Sequence, residues 1–414
     1  MIKYVSVLDI GTTGIRMLVA KISEGGTSHI VAKAALNCKC IKKFRIENEN
    51  ELTAAVQKIV HRIEEQTEII VKSTYVSVPA PYTGYVRNTA VSTSVGGGCV
   101  THERISELLD MASDTELYED EFLIDVIPCK YIIDNSTTVI DPIGMDYSES
   151  IRIEADIVTA NLEYVTTMQR CLGAAGLDVD GYIPMSAAMK TFLPEYGPEE
   201  KSTLLINVGG GETEFTVYYK SHPFFTAAFP AGGVNITNDI AQVLSVSAEE
   251  ADNLKKDYSI ASIELVTNNV DVSVFSLDKG TQDIIKVSNI VEIMQARIEA
   301  ILSRVQNKLL DEDIRPDMID RIIVCGDGIS YFSGIDKLCE KVFNTKFTDV
   351  DFTRKTGMKS LYTYSGAMVS YICGLLPYGR SDSHIERKAQ PADNSRSRGG
   401  LFGKVKKWFS SLKD

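Results

Sequence analysis

Val7-Leu8-Asp9-Ile10-Gly11-Thr12-Thr13-Gly14-Ile15-Arg16-Met17-Leu18-Val19 and Leu205-Ile206-Asn207-Val208-Gly209-Gly210-Gly211-Glu212-Thr213-Glu214-Phe215-Thr216-Val217 are written to one plan. Each reads as an apolar strand, an Asp or Asn at its end, a Gly-rich turn and a second strand. A tight hairpin of this kind presents backbone N–H groups that can hold phosphate oxygens. A carboxylate at the strand end can hold the water shell of Mg²⁺. Either turn alone is an ordinary β-hairpin. Matched order in the two halves predicts a duplicated α/β fold gripping one polyphosphate from both sides.

Outward from these hairpins, strands are predicted over Tyr4–Asp9, Ile15–Ile22 and His29–Asn37. A helix is predicted over Leu52–Val71, with Leu52, Val56, Ile59, Val60 and Ile63 on one face. Thr74–Val78 returns as a strand, stopped by Pro79 and Pro81. From about 84 to 154 the character changes. A Gly run at 96–98, a polar helix near 102–112 and β-rich segments around 122–133 and 137–140 read as an inserted subdomain. The Gly run lacks a following helix with Lys-Ser/Thr, so it reads as a loop and not a P-loop. A strand over Ala155–Asn161 and a helix over Glu163–Ala175 follow. The second half repeats the hairpins over Thr203–Asn207, Thr213–Tyr219 and Pro223–Pro230. Gly232 and Gly233 then open a helix, whose N-terminus favours phosphate. Helices over Ser247–Tyr258 and Ile285–Leu310, a strand over Ile322–Cys325 before Gly326-Asp327-Gly328, and a helix over Ser365–Leu376 complete the body.

At 414 residues the chain predicts two or three domains. Its net charge of −13 is unevenly spread. Residues 380–414 hold nine Lys or Arg and four Asp or Glu, a formal +5, which leaves −18 on the rest. That acidic body argues against a nucleic-acid surface, which needs a basic footprint. The eight cysteines are scattered, with no C-x-x-C and no paired histidines. Spacing along the chain therefore argues against zinc and for free thiols. Asp9 interrupts the first apolar run, against a signal peptide. No stretch approaches the length of a membrane-spanning helix.

The basic end is the second strong signal. Residues 381–400 are polar and rich in Ser, Arg and Asp, the composition of a disordered linker. Beyond them Leu401, Phe402, Val405, Trp408, Phe409 and Leu412 fall at helical spacing on one face, with Lys404, Lys406 and Lys407 off or beside it. That is the pattern of a helix lying in an anionic membrane surface. The alternative is a terminal helix docked on the body; a flexible linker and a strongly basic flank would both be odd there.

Taken together, hairpin, second hairpin and Gly-x-Gly after a strand resemble the actin/Hsp70/sugar-kinase superfamily. The position of the insertion resembles the bacterial cell-division actin-like FtsA family. Leu8-Asp9-Ile10-Gly11-Thr12, Val126-Ile127-Pro128, Asp141-Pro142-Ile143-Gly144-Met145, Gly209-Gly210-Gly211 and Thr237-Asn238-Asp239-Ile240-Ala241 carry the likeness. It covers nearly the whole chain, the end included. The resemblance implies an actin-like ATPase fold of duplicated RNase H-like halves. Subdomain 1A would span 1–83 and 155–190, an inserted 1C-type subdomain 84–154, 2A 191–241 and 318–379, and 2B 242–317. A linker at 380–400 and an amphipathic membrane helix at 401–414 would follow.

For the site, the resemblance implies ATP and Mg²⁺. Asp9, Gly11, Thr12, Thr13 and Gly14 match the first phosphate loop, with Asp9 holding Mg²⁺ through water. Asn207, Gly209, Gly210, Gly211 and Glu212 match the second. Gly232 and Gly233 match the turn near the nucleotide, Asp252 and Lys255 a region lining adenosine, and Gly326 and Gly328 the glycines approached by the nucleoside. No catalytic residue is assigned. The chain departs from the family, which usually has Asp at Asn207, Lys at Gly14, often Thr and Asp at Glu212 and Glu214, and Gly at Asp327. Asn carries no charge to hold Mg²⁺ or orient an attacking water, so the expectation is binding with at most weak hydrolysis. The partners implied are the tail of the tubulin-like protein FtsZ on 2B, further copies in a filament, anionic lipid, and other division proteins through 1C. The implied location is the cytoplasmic face of the membrane at the division site. A pilus-assembly adaptor would share the body but not usually the tail. A small-molecule kinase of the superfamily would need a catalytic carboxylate that the sequence does not isolate.

Overall fold

The computed structural model of the protein describes residues 3–23, 27–67, 69–93, 97–195, 197, 200–220, 222–352, 358 and 360–375. The linker and membrane helix expected at 380–414 lie outside the described residues.

The first half opens with β1 (Lys3–Gly11), β2 (Gly14–Ile22) and β3 (Ser28–Asn37), followed by a small hairpin, β4 (Ile41–Lys42) and β5 (Arg45–Ile46). Helix α1 (Glu49–Gln66) leads to β6 (Ser73–Val78). It starts earlier than its apolar face suggests, because the Asn48 side chain accepts the Glu51 N–H at 3.0 Å and so satisfies one of the unpaired first-turn donors. The inserted subdomain contains β7 (Thr83–Thr93), β8 (Gly98–Cys99), α2 (His102–Ala112), β9 (Glu121–Ile133), β10 (Thr137–Val139), β11 (Asp146–Tyr147) and β12 (Ser150–Asn161). Next come α3 (Leu162–Ala174), β13 (Asp178–Pro184) and the short α4 (Met185–Met189). The second half holds β14 (Ser202–Val208), β15 (Thr213–Tyr219), β16 (His222–Phe229), α5 (Gly233–Leu244), α6 (Ala248–Asp257), β17 (Asp271–Ser276), β18 (Thr281–Lys286), α7 (Val287–Asp311), β19 (Arg321–Cys325) and α8 (Ile335–Phe343), and α9 (Thr363–Leu375) ends the described chain.

The duplication is visible in the sheets. The first runs β13-β6-β1-β2-β3 and the second β16-β15-β14-β19. In both, three antiparallel strands are followed by a parallel neighbour: β6 beside β1, β19 beside β14. A parallel bridge from Ile322 to Phe347 stands where the first half has its fifth strand. Each half buries its own core, and the insert has a third, built on the sheet β10-β9-β12-β7 with α2 packed against it.

Several expectations shift. The predicted boundary at 154/155 falls inside β12, which pairs with β7 from Ser150 to Ala160 without a break. Residues 318–379 were assigned to the second half, but α9 returns to the first. Its Ala367, Met368 and Ile372 are buried in that core, and the Tyr364 hydroxyl donates to the Ile183 carbonyl at 2.8 Å. The long helix begins at Val287 rather than Ile285, because 281–286 forms a hairpin with 271–276 that periodicity did not reveal. Cys38 and Cys40 are joined as a disulfide, with Cα atoms 5.6 Å apart, where free thiols were expected.

Ile298, fully buried on α7, tests this packing. Ile298→Ala is expected to lower unfolding stability by about 2–5 kcal/mol in urea titrations, by lost burial plus a residual cavity. Ile293→Ala, at a half-buried position of the same helix, should cost less.

Candidate functional site between the two hairpins

A cavity of about 490 Å³ lies between the halves. The β1–β2 turn walls one side, with Asp9, Gly11, Thr12, Thr13, Gly14 and Arg16; the β14–β15 turn walls the other, with Asn207, Gly209, Gly210, Glu212 and Glu214. The turns touch. A Cβ added to Gly210 would overlap the Thr13 methyl, and one on Gly211 would come within 2.6 Å of Thr12 Cγ2. Among the described residues, no group accepts the main-chain N–H of Thr12, Thr13, Gly210 or Gly211. Free N–H groups on two facing turns are the donors a polyphosphate needs.

The polar side chains have identifiable supports. Asp9, near the end of β1, lies opposite Arg16 on β2, and the Arg16 guanidinium stands 3.4 Å from its carboxylate. Gly14 cannot carry the lysine implied by the resemblance without a shift, because a Cβ there would run into the Leu36 carbonyl of β3. Arg16, two residues on and on the same strand face, presents a cation to the cleft instead. Glu212 and Glu214 reach across to the first half. Glu212 Oε1 accepts the Phe44 N–H at 3.1 Å, and Glu214 Oε1 accepts the Ala80 N–H at 3.1 Å. Phe44 is aimed by the β4–β5 turn, where Lys43 and Phe44 both have positive φ, 49° and 68°.

These carboxyls share a poorly solvated space. Burial raises Asp9, against the opposing pull of Arg16. Burial also raises Glu212, against the opposing pull of the Thr12 hydroxyl nearby and of the Phe44 N–H that it accepts. Burial, then repulsion from Glu212, pushes Glu214 up to about 8. Arg16 and Lys256 are cations lining the cavity, and Asp327 adds a further acid.

Other predicted residues support the cleft rather than face it. Gly232 and Gly233 do open α5, but its first N–H groups are already used. Gly233 donates to the Gly209 carbonyl at 2.9 Å and Val234 to that of Gly210 at 2.6 Å. That helix N-terminus therefore shapes the second turn and is not available to phosphate. Lys255 is buried, donating to Thr237 Oγ1 at 2.7 Å and the Gly233 carbonyl at 3.3 Å. Asp252 lies 2.9 Å from Lys255 and 2.5 Å from Lys256. Its burial acts to raise it, but the two ammonium groups hold it down at about 2. Lys256, not Lys255, lines the cavity. Gly211 and Gly328 lie behind the lining, Gly328 donating to the Val208 carbonyl at 2.8 Å. Gly326 does line it, at φ 87°, where a Cβ would strike Asn207 Oδ1. Ser77, Asp327, Thr363 and Tyr364 join the lining from strand ends and α9, contributions that only the fold assembles.

The fold and cleft define an actin-like protein. Similar solved structures include the PilM-PilN type IV pilus biogenesis complex, with a TM-score of 0.57 and 11% identity over 90% of this chain and 98% of that one. MreB5 of Spiroplasma citri bound to ADP is also similar, with a TM-score of 0.51 and 12% identity over 88% and 95%. Residues 204–363 match the family model "Cell division protein FtsA", and residues 85–159 match "SHS2 domain inserted in FTSA". The chain is 24% identical to the cell division protein FtsA of Neisseria meningitidis over 83% of its length and 82% of the relative's. It is 24% identical to that of Bacillus subtilis over 82% and 76%. The chain belongs to the FtsA family of cell-division proteins.

Glu214 gives the cleft a pH signature. Its folded value of about 8 lies above the ordinary glutamate value of 4.5, so the folded protein holds a proton that the unfolded chain releases. Its contribution to stability is complete below about 4.5 and is lost as pH rises to about 8, with Asp9 and Glu212 acting in the same direction. Glu214→Gln is therefore expected to flatten, without abolishing, the fall in urea midpoint across that window. It should be more stable than the parent at pH 8, by on the order of a few kcal/mol.

Proposed function

We propose that this chain is an ATP-binding, self-associating scaffold that tethers FtsZ filaments to the cytoplasmic face of the membrane at the division site. Family membership supports division as the process, and the paired hairpins with unused N–H groups are the observation that carries nucleotide binding. Thr12, Thr13 and Gly210, which line the cavity, would hold phosphate oxygens through their main chain, and Arg16 and Lys256 would balance charge. Asp9 would hold the water shell of Mg²⁺, which supplies neutralisation of the phosphates when bound. Turnover is expected to be slow. Asn207 can accept a bond from a metal-bound water but carries no charge to orient an attacking one or take its proton, and Glu214, at about 8, is largely protonated at neutral pH.

Subdomain 2B carries exposed apolar side chains suited to a peptide tail. Phe275 of β17 and Ile284 of β18 are 43% and 73% exposed. Ser273 pairs with Ile284 and Phe275 with Gln282, so both side chains stand on one face of the hairpin. Val243 and Leu277, 64% and 58% exposed, extend the apolar surface of this region. We assign the FtsZ tail to this face. The segment 401–414 is assigned to anionic lipid, and it separates this reading from a pilus-type adaptor with the same body.

Gly210→Val is expected to weaken Mg-ATP binding at least tenfold in equilibrium dialysis while the far-UV spectrum stays unchanged. Undiminished affinity in the folded variant would remove the phosphate assignment.

For the membrane, Trp408→Glu with Phe409→Glu removes apolar burial and adds negative charge beside anionic lipid. In vesicle co-sedimentation the double variant should stay in the supernatant and fail to recruit FtsZ, while keeping its ATP affinity and its binding to the soluble FtsZ tail. Pelleting equal to the parent would make the end a docked helix. High salt should weaken the parent's binding without abolishing it, because screening acts on the lysines and not on the apolar face.

A further inference from the structure

Outside the lining of the nucleotide cleft, three strands bring together a sulfur, a nitrogen and an oxygen ligand. Cys129 lies on β9, Asp156 on β12 and His222 at the start of β16, and their ligand atoms all fall within 4.8 Å of one another. Cys129 occupies a bulge: Lys130 pairs with Glu154 and Pro128 with Ala155, so Cys129 is the extra residue in β9. A bulge of this kind re-aims a side chain. Both Cys129 and Asp156 are buried.

The group is incompletely satisfied. The Cys129 thiol donates its single proton to Asp156 Oδ2 at 3.1 Å. His222 Nδ1 lies 4.0 Å from the same oxygen, is itself buried, and has no hydrogen-bond partner. Burial, with Lys190 adding to it, pushes His222 down to about 4, so the ring is neutral. A neutral imidazole can present a lone pair at either ring nitrogen, and here Nδ1 is the buried, unpartnered one. Nδ1 and Oδ2 therefore face each other at 4.0 Å with no hydrogen bond between them. Asp156 Oδ1 is engaged by Arg87 Nε at 2.6 Å, which leaves Oδ2 for the shared point.

We propose that Cys129, Asp156 and His222 form a site for a zinc-type divalent cation that braces the inserted subdomain against the second half. Sulfur, imidazole and carboxylate are the ligand types of tetrahedral zinc, with bonds of about 2.0–2.3 Å. A tetrahedron of that size has edges of roughly 3.3–3.8 Å, a range that the 3.1 Å from Cys129 and the 4.0 Å from His222 to Asp156 Oδ2 lie on either side of. Three protein ligands leave one position for water. Binding displaces the Cys129 proton, since the thiolate is the ligand. Burial pushes that thiol up to about 12, while Arg87 and Lys190 favour the thiolate. The same cations repel the metal, which places this site below closed structural zinc sites in affinity. Spacing along the chain hid it, because the ligands come from two sheets and share no motif.

The test uses the full chain, reduced and freed of metal by chelator, titrated with Zn²⁺ alone and separately with Co²⁺. One equivalent is expected. Cys129→Ser and His222→Gln should each weaken binding at least tenfold, whereas Cys99→Ser, at an exposed thiol elsewhere, should not. Bound Co²⁺ should show one thiolate charge-transfer band that Cys129→Ser removes. Zn²⁺ should raise the melting temperature of the parent and not of those two variants. Where a variant fails to fold, X-ray absorption of the parent decides: one sulfur among nitrogen and oxygen ligands is expected, and two sulfurs would place the metal on Cys38 and Cys40. No bound equivalent, two sulfurs, or affinity unchanged by both ligand substitutions would overturn the site and leave a water-filled polar cluster.

Discussion

The two Gly-rich turns approach so closely that the second tolerates no side chain where they meet. Thr12 and Thr13 fill the space that a Cβ on Gly211 or Gly210 would need. Each turn thus becomes a wall of the other's binding surface, and the donors on both are presented to one volume. Glu212 and Glu214 extend this contact by accepting main-chain N–H groups of Phe44 and Ala80 in the opposite half. The halves are therefore joined at the place where the ligand would sit. A ligand binding there competes with, or reinforces, the same groups that hold the halves together, which couples occupancy to the relation between them.

Charge in the cleft follows from packing. β3 runs so near β2 at Gly14 that the position is closed to a long side chain, and the cation moves to Arg16. There it faces Asp9 directly across the hairpin. The acid gained at Glu212 offsets the one lost at Asn207, and Asp327 in the lining adds an acid beyond the family pattern. Burial answers by raising Asp9, Glu212 and Glu214, so less negative charge is present than the sequence suggests. An oxygen-rich site whose acids are partly neutral suits retention of a metal–phosphate pair better than proton abstraction.

Local chemistry made much of this legible. Asp9 and Asn207 near strand ends, glycines in the turns and the buried stripe of α7 all follow from short-range rules. What the sequence concealed depends on long-range return. The helix from Thr363 packs on the first half because its Ala367, Met368 and Ile372 find that core, and no periodicity states which core a buried helix joins. Lys255 and Lys256 are adjacent, yet one turns inward to hold α5 and the other faces the cavity; a heptad count does not choose between them. The β17–β18 hairpin escaped because its outward residues include Phe275 and Ile284, so polar and apolar positions do not alternate cleanly. The N-terminus of α5 misled for a related reason: its donors look free in sequence, and only the path of the second turn shows them taken.

A slow site and a weak anchor belong together in the proposed scaffold. A short amphipathic helix is marginally folded in water, so ordering it on a membrane opposes binding. Burial of large apolar side chains and about 1 kcal/mol per lysine near anionic lipid offset that cost without making one tail permanent. Firm attachment then requires several tails on one assembly, because each later insertion is effectively intramolecular. Assembly in turn requires protomers that stay in one nucleotide state long enough to associate. A cleft that holds Mg-ATP and hydrolyses it slowly supplies that persistence, and release is left to the reversibility of each separate anchor.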